Sequence, residues 1–79
     1  MAIEIVLGSD PDRPNLFAEL RHDNQVFADV MYDHAQEAYV VTLYAPAEER
    51  INVGLAELGR ALSRARQLLV DRGAPNIAG

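Results

Sequence analysis

Between Leu16 and Leu43 apolar and polar residues alternate in three short runs, and from Leu55 to Leu69 the spacing becomes helical. Period two marks half-buried strands, and a period near 3.6 marks an amphipathic helix. A further run, Ala2–Gly8, puts Ile3, Ile5 and Leu7 on one side with Glu4 opposite, and reads as a first strand. The segment Ser9-Asp10-Pro11-Asp12-Arg13-Pro14 is dense in turn formers, and its prolines exclude a central strand there.

Leu16–Arg21 and Gln25–Tyr32 are the second and third strands, joined around His22-Asp23-Asn24. The parity of that loop decides which side chains share a face. A two-residue loop pairs Leu20 with Phe27 and Ala18 with Asp29, setting an acid among core residues. A three-residue loop pairs Leu20 with Val26, Ala18 with Ala28 and Leu16 with Val30, an apolar face throughout. Its last position favours the left-handed region, which Asn24 tolerates, so this register is the expected one.

After Asp33–Gln36, Glu37–Ala45 reads as the fourth strand, with Tyr39, Val41 and Leu43 facing the core and Val40, Thr42 and Tyr44 facing away. Pro46–Glu49 is a turn. Arg50–Val53 suits a short edge strand, with an early helical turn led by Pro46 as the alternative. In the helix, Leu55, Leu58, Leu62, Ala65 and Leu69 form one stripe, and Arg60, Ser63, Arg64, Gln67 and Asp71 lie opposite. Gly54 or Asn52 suits its start, and Gly73 followed by Pro75 suits its stop. Gly59 inside the helix either permits close approach to the sheet or is simply tolerated. The expected fold is α+β: an antiparallel meander of four strands, five if Arg50–Val53 pairs, with one C-terminal helix on one face. Residues 1–73 form one domain, and 74–79 are expected to fray.

The 79 residues are 49% apolar, enough for a single core without a metal. There is no Cys, so neither disulfides nor thiolate metal sites staple the fold. Small domains without staples lean on tight packing or self-association, which favours a homodimer or another protein as partner. No apolar run reaches the roughly 18 residues of a membrane span, and no secretory signal pattern opens the chain, so a cytoplasmic setting is the expectation. All seven cations are Arg, in an Ala-rich chain, which matches the bias of a GC-rich bacterial genome.

The net charge of −5 is divided. Residues 1–49 hold ten acids and two Arg, and residues 50–79 hold two acids and five Arg. The acidic sheet half would repel phosphate, so a nucleic-acid partner is not expected. Arg60 and Arg64, four apart on the outer helix face, are the secondary candidates for contact with an acidic surface. His22 and His34 fall at opposite ends of the third strand, about 25 Å apart at ~3.3 Å per residue, too far to share a metal. No nucleophile elbow, phosphate loop or metal motif is present, and no set of catalytic groups converges. The expectation is a non-catalytic protein without a cofactor. Any small-molecule ligand is left open.

With the helix on one face, the other carries Phe17, Phe27, Met31, Val40 and Tyr44, diluted by Glu19, Arg21, Asp29 and Thr42. Two Phe and a Tyr on adjacent strands suggest an interaction surface, and self-association is the first reading. The segment Tyr39-Val40-Val41-Thr42-Leu43 leading to Gly54-Leu55-Ala56-Glu57-Leu58 and Ala61-Leu62 resembles the HicB-type antitoxin domain, which also runs three strands into a helix. The Pro-Asp-Leu-Pro-Gly-like segment of that family is missing here. No function is carried over from that resemblance; the alternative function, resting on the Arg60 and Arg64 stripe, is a regulatory, antitoxin-like partner of a toxin or nucleic acid working through the Arg-bearing helix face.

Overall fold

A computed structural model of the protein describes residues 3–12, 15–44 and 50–77. Four strands, β1 (Glu4–Gly8), β2 (Phe17–His22), β3 (Gln25–Asp33) and β4 (Ala38–Leu43), form an antiparallel sheet in the order β1-β2-β3-β4. One helix, α1 (Leu55–Asp71), follows and packs on one face. This is the α+β meander expected from the spacing of apolar residues. Arg50–Val53 forms no strand, which corrects the five-stranded variant; its Ile51 packs against the core as irregular chain. The end of the expected fourth strand at Ala45 and the Pro46–Glu49 turn lie outside the described residues.

The β2–β3 hairpin departs from the expected three-residue loop. His22 pairs with Gln25 and Arg21 with Val26, so the loop is the two residues Asp23-Asn24. Both have positive φ, 51° and 63°, the geometry a tight hairpin turn demands. Asp and Asn are among the few residues that tolerate it. The next pair is Leu20 with Ala28, so Phe27 is an extra residue, a β-bulge. That bulge restores the parity that the two-residue turn alone would spoil. Ala18 pairs with Val30 rather than Asp29, and the helix-side face is apolar after all.

The core consists of Ala18, Leu20, Phe27, Ala28 and Val30 from the sheet and Ala61, Ala65 and Leu69 from the helix. Ile3, just before β1, and Ile5 and Leu7 of β1 pack against its margin. Phe27 therefore sits in the helix-side cluster and not on the opposite face, a correction to the alternation read from sequence. Successive residues at a bulge do not alternate cleanly, so Phe27 joins its neighbour Ala28.

The helix is capped by backbone rather than side chains. Gly54 is the N-cap, with Leu58 N–H donating to its carbonyl at 2.9 Å, and Glu57 lies in the first turn near the positive dipole end. At the other end Gly73 adopts φ 104°, Ala74 N–H reaches Leu69 O and Gly73 N–H reaches Val70 O, each at 3.0 Å. This paired closure satisfies carbonyls that the helix would leave open.

The helix packs mainly on β2, then β3, then β1. A helix of 17 residues is about 25 Å long at ~1.5 Å per residue and could cross four strands diagonally, yet part of β4 stays uncovered. A helix is about 10 Å wide, while four strands at ~4.8 Å spacing are wider. Val41 and Leu43 pair with the core residues Val30 and Ala28, yet they are 46% and 76% exposed. The expectation that they belong to the core is corrected: they point to the helix side, but the helix does not reach them.

Two glycines give opposite predictions. A Cβ on Gly8 would stand 2.8 Å from the ring of its cross-strand partner Phe17. A Cβ on Gly59 would meet nothing within 4 Å, so Gly59 does not serve close approach to the sheet. Gly8→Ala should destabilise by ~1–3 kcal/mol through overpacking. Gly59→Ala should stabilise by ~0.5–1 kcal/mol through helix propensity. Urea unfolding of the two variants checks both signs.

Candidate functional site

Strand alternation and pairing place Phe17, Met31 and Val40 in one row across the second face, with Gly8 beside Phe17. The next row is Val6, Glu19, Asp29 and Thr42. Glu19 and Asp29 are directly opposed, an arrangement that destabilises unless the charges are answered. Arg21 donates to Glu19 at 3.0 Å, and the Tyr44 hydroxyl donates to Asp29. Asp29 is 1% exposed and Phe17 9%. Of the expected interaction set, Phe17, Met31, Val40 and Tyr44 belong to this face, and Phe27 does not. Phe17 is buried, Met31 and Val40 are half-buried, and Tyr44 is exposed. The face is thus less open than the sequence alone implied.

The larger open apolar surface lies elsewhere, at the margin of the helix-side face. Leu43 and Val41 stand there on β4, and Leu55 at the helix start is 88% exposed. The Arg66 guanidinium lies 5.4 Å from the centre of the Tyr39 ring, which identifies the helix flank turned toward β4. Helical spacing puts Leu62, Gly59 and Leu55 on that same flank. Sequence reasoning missed this surface by counting Val41 and Leu43 as core. The signal that could have found it is the width of one helix against four strands.

β4 is also an edge strand. Among the described residues its one neighbour is β3. Tyr44 N–H donates to Phe27 O at 2.8 Å, extending the ladder one residue past β4. Antiparallel alternation then directs the N–H and C=O groups of Thr42, Val40 and Ala38 toward β3. Those of Tyr39, Val41 and Leu43 point to the open side. The stretch Ala38–Tyr44 has no charged residue and no proline. Natural edges are commonly blunted by such residues.

The secondary candidates Arg60 and Arg64 lie on the opposite flank of the helix, lining a shallow groove with Ile3, Ile5 and Glu57. The acid of Glu57 on the same groove breaks the cationic stripe. Arg66 is used internally: its Nε donates to Ile77 O at 3.0 Å and its terminal nitrogen to Asn76 Oδ1 at 3.2 Å. The Tyr39 hydroxyl donates to Pro75 O at 2.5 Å. Residues 74–77, expected to fray, are therefore tied back across the helix and the sheet.

A cleft of about 250 Å³ opens at the helix C-terminus among Asn15, Leu16, Tyr32, His34, Leu69 and Arg72. His34 Nε2 lies 3.2 Å from Asn15 Oδ1, and Asn15 Nδ2 donates to Tyr32 O at 2.9 Å. The His34 ring stands edge-on to Tyr32 at 4.9 Å. An amide oxygen as partner selects the tautomer with the proton on Nε2. These bonds fasten the loop before β2 to the end of β3, a structural use for each polar group. His22 is at the other end of β3, 3.6 Å from Asp23, so the two histidines remain apart. Among the described residues no group of three potential ligands could hold a metal ion. Among the described residues no helix is long and apolar enough to cross a membrane.

Fold and surface together define a small α+β domain with one open, uncharged sheet edge. No family model, curated protein or solved structure matches the chain.

Burial pushes the Tyr39 phenol above its usual range, with Arg66 pulling the other way less strongly. A raised folded-state pKa means that this contribution to stability is present below the ordinary tyrosine pKa and is lost as pH rises through the folded value. Stability should therefore fall in that alkaline window. Tyr39→Phe should shrink that fall. Ultraviolet titration with parallel urea melts checks it.

Proposed function

We propose that the protein is a non-catalytic protein–protein interaction module that self-associates, working in the cytoplasm without a cofactor. The observation that carries this reading is the exposure of Leu43 and Val41 on the core side of an unguarded edge strand. A monomer leaves part of its own apolar face in water; a second copy offers the same need in mirrored order. Exposed apolar surface next to an open strand edge is a common basis of association.

This shifts the contact expected from the sequence. Val40 and Tyr44 stay within it, since they lie along β4 and its one-residue extension. Phe17 and Met31 become support behind it, and Phe27 leaves it for the core. The reading through Arg60 and Arg64 toward a toxin or nucleic acid gains no support from a stripe interrupted by Glu57.

Sedimentation at ~100 µM, where even a micromolar association is visible, should show a dimer. Leu43→Glu should give a monomer with an unchanged far-ultraviolet spectrum, because the side chain it replaces is mostly in solvent. A wild-type monomer at that concentration overturns the proposal. Phe27→Glu is no test of the surface, since it buries a charge in the core and should unfold the domain.

A further inference from the structure

Resting on the self-association reading, we infer that the partner of β4 is the β4 of a second copy, paired antiparallel about a two-fold axis through Val41. The ladder on β3 runs from Ala38 to Tyr44, and its middle residue is Val41. Only odd-numbered residues of this stretch, Tyr39, Val41 and Leu43, present backbone donors and acceptors to the open side. Two such edges can therefore meet only with odd residues opposite odd residues. Centring on Val41 is the register of that parity that uses the whole stretch.

The pairs that follow are Val41 with Val41 of the second copy, Tyr39 with Leu43, Val40 with Thr42, and Ala38 with Tyr44. Every helix-side pair is apolar, which covers Leu43 with a tyrosine ring. Val40–Thr42 is a β-branched pair of the kind that stabilises sheets. No pair sets like charges together, and this is decisive for a chain of net charge −5. The acids are concentrated in the sheet half, and the stretch from Ala38 to Tyr44 is a part of it where two copies can meet without an opposed acid.

The other sheet edge is a poorer candidate. β1 is shorter than β4, ends at Gly8 and carries the exposed Glu4, a charge of the kind that blunts a sheet edge. A two-fold axis normal to the sheet keeps both helices on one side, so the product is an eight-stranded sheet with two helices on one face. The contact is about one strand long, ~23 Å for seven residues.

The chain has no cysteine, so single thiols report distances cleanly. Residues paired at the axis have Cα atoms about 5.5 Å apart, within disulfide reach. At ~100 µM protein under mild oxidation, Val41→Cys should cross-link at least ~10-fold faster than Gln67→Cys on the exposed helix face, because the paired thiols see a millimolar effective concentration. Equal rates overturn the inference.

Val41→Pro provides the second arm. The Val41 N–H points away from β3, so proline there removes a bond to the second copy and leaves the β3 ladder whole. The expected result is a monomer with a native circular dichroism spectrum. A folded Val41→Pro protein that still dimerises overturns the strand pairing while leaving self-association standing. A wild-type monomer overturns both. Should Val41→Pro fail to fold, the ladder geometry assigned to β4 is wrong and the inference falls with it.

Discussion

The arrangement of this domain depends on one extra residue in a strand. A two-residue turn at Asp23-Asn24 is the natural closure for β2 and β3, because its positive φ angles match the twist of the strands. Followed without interruption, that turn would bring Asp29 to the helix side, next to Ala18. An unpaired carboxylate in an apolar core costs several kcal/mol, on the order of the whole stability margin of so small a chain. The bulge at Phe27 gives up one regular ladder position, a loss of about 1 kcal/mol. In return it buries the Phe27 ring, a gain of about 2 kcal/mol, and sends Asp29 to the other face. The balance favours the bulge by a wide margin, and every face assignment from Ala28 onward follows from it.

Asp29 then has to be accommodated where it lands. It is nearly sealed from solvent, faces Glu19 across the strands and receives the Tyr44 hydroxyl. The same Tyr44 extends the β4 ladder by donating its amide to Phe27 O. The bulge residue, the buried acid and the last residue of the edge ladder are thus physically linked. The second face, open by simple alternation, becomes a largely structural surface, and the unsatisfied apolar area moves to the margin beside β4.

Much of this was legible in the sequence. The change of period marked the four strands and the helix, Gly73 marked the helix stop, Ile3, Ile5 and Leu7 were set on one side of the first strand, and Ala18, Leu20, Ala28 and Val30 were assigned to the covered face correctly; Val26, expected with them, pairs with Arg21 and lies outside the core cluster. From Ala28 onward the face assignment survived an incorrect loop, because a three-residue loop and a two-residue turn plus a bulge shift the pairing by the same parity. What could not be read was the placement of the extra residue. Alternation gives two states per position, and a bulge is the local exception to it. Phe27 was therefore put on the wrong side, and with it the centre of the expected interaction cluster. The docking of residues 74–77 was also illegible, since it rests on Tyr39 and Arg66 meeting backbone carbonyls that carry no sequence signal.

The lateral position of the helix is a different kind of omission. Its stripe announced a buried face, but a stripe says nothing about which strands it lies on. The hydrophobic residues in and just before β1 draw the helix toward that edge: Ile3, Ile5 and Leu7 pack against the core margin, where Arg64 and Leu68 line the flank beside them. One helix cannot span both edges, so closing the core over β1 opens it over β4. Arg66 on Tyr39 caps one end of the open strip with a cation–π contact, and the bound C-terminal segment reinforces that end. Toward Leu43 no described element does the same, and Leu55 adds to the exposure. The asymmetry of the helix, rather than any single apolar side chain, leaves the helix-side face of β4 exposed.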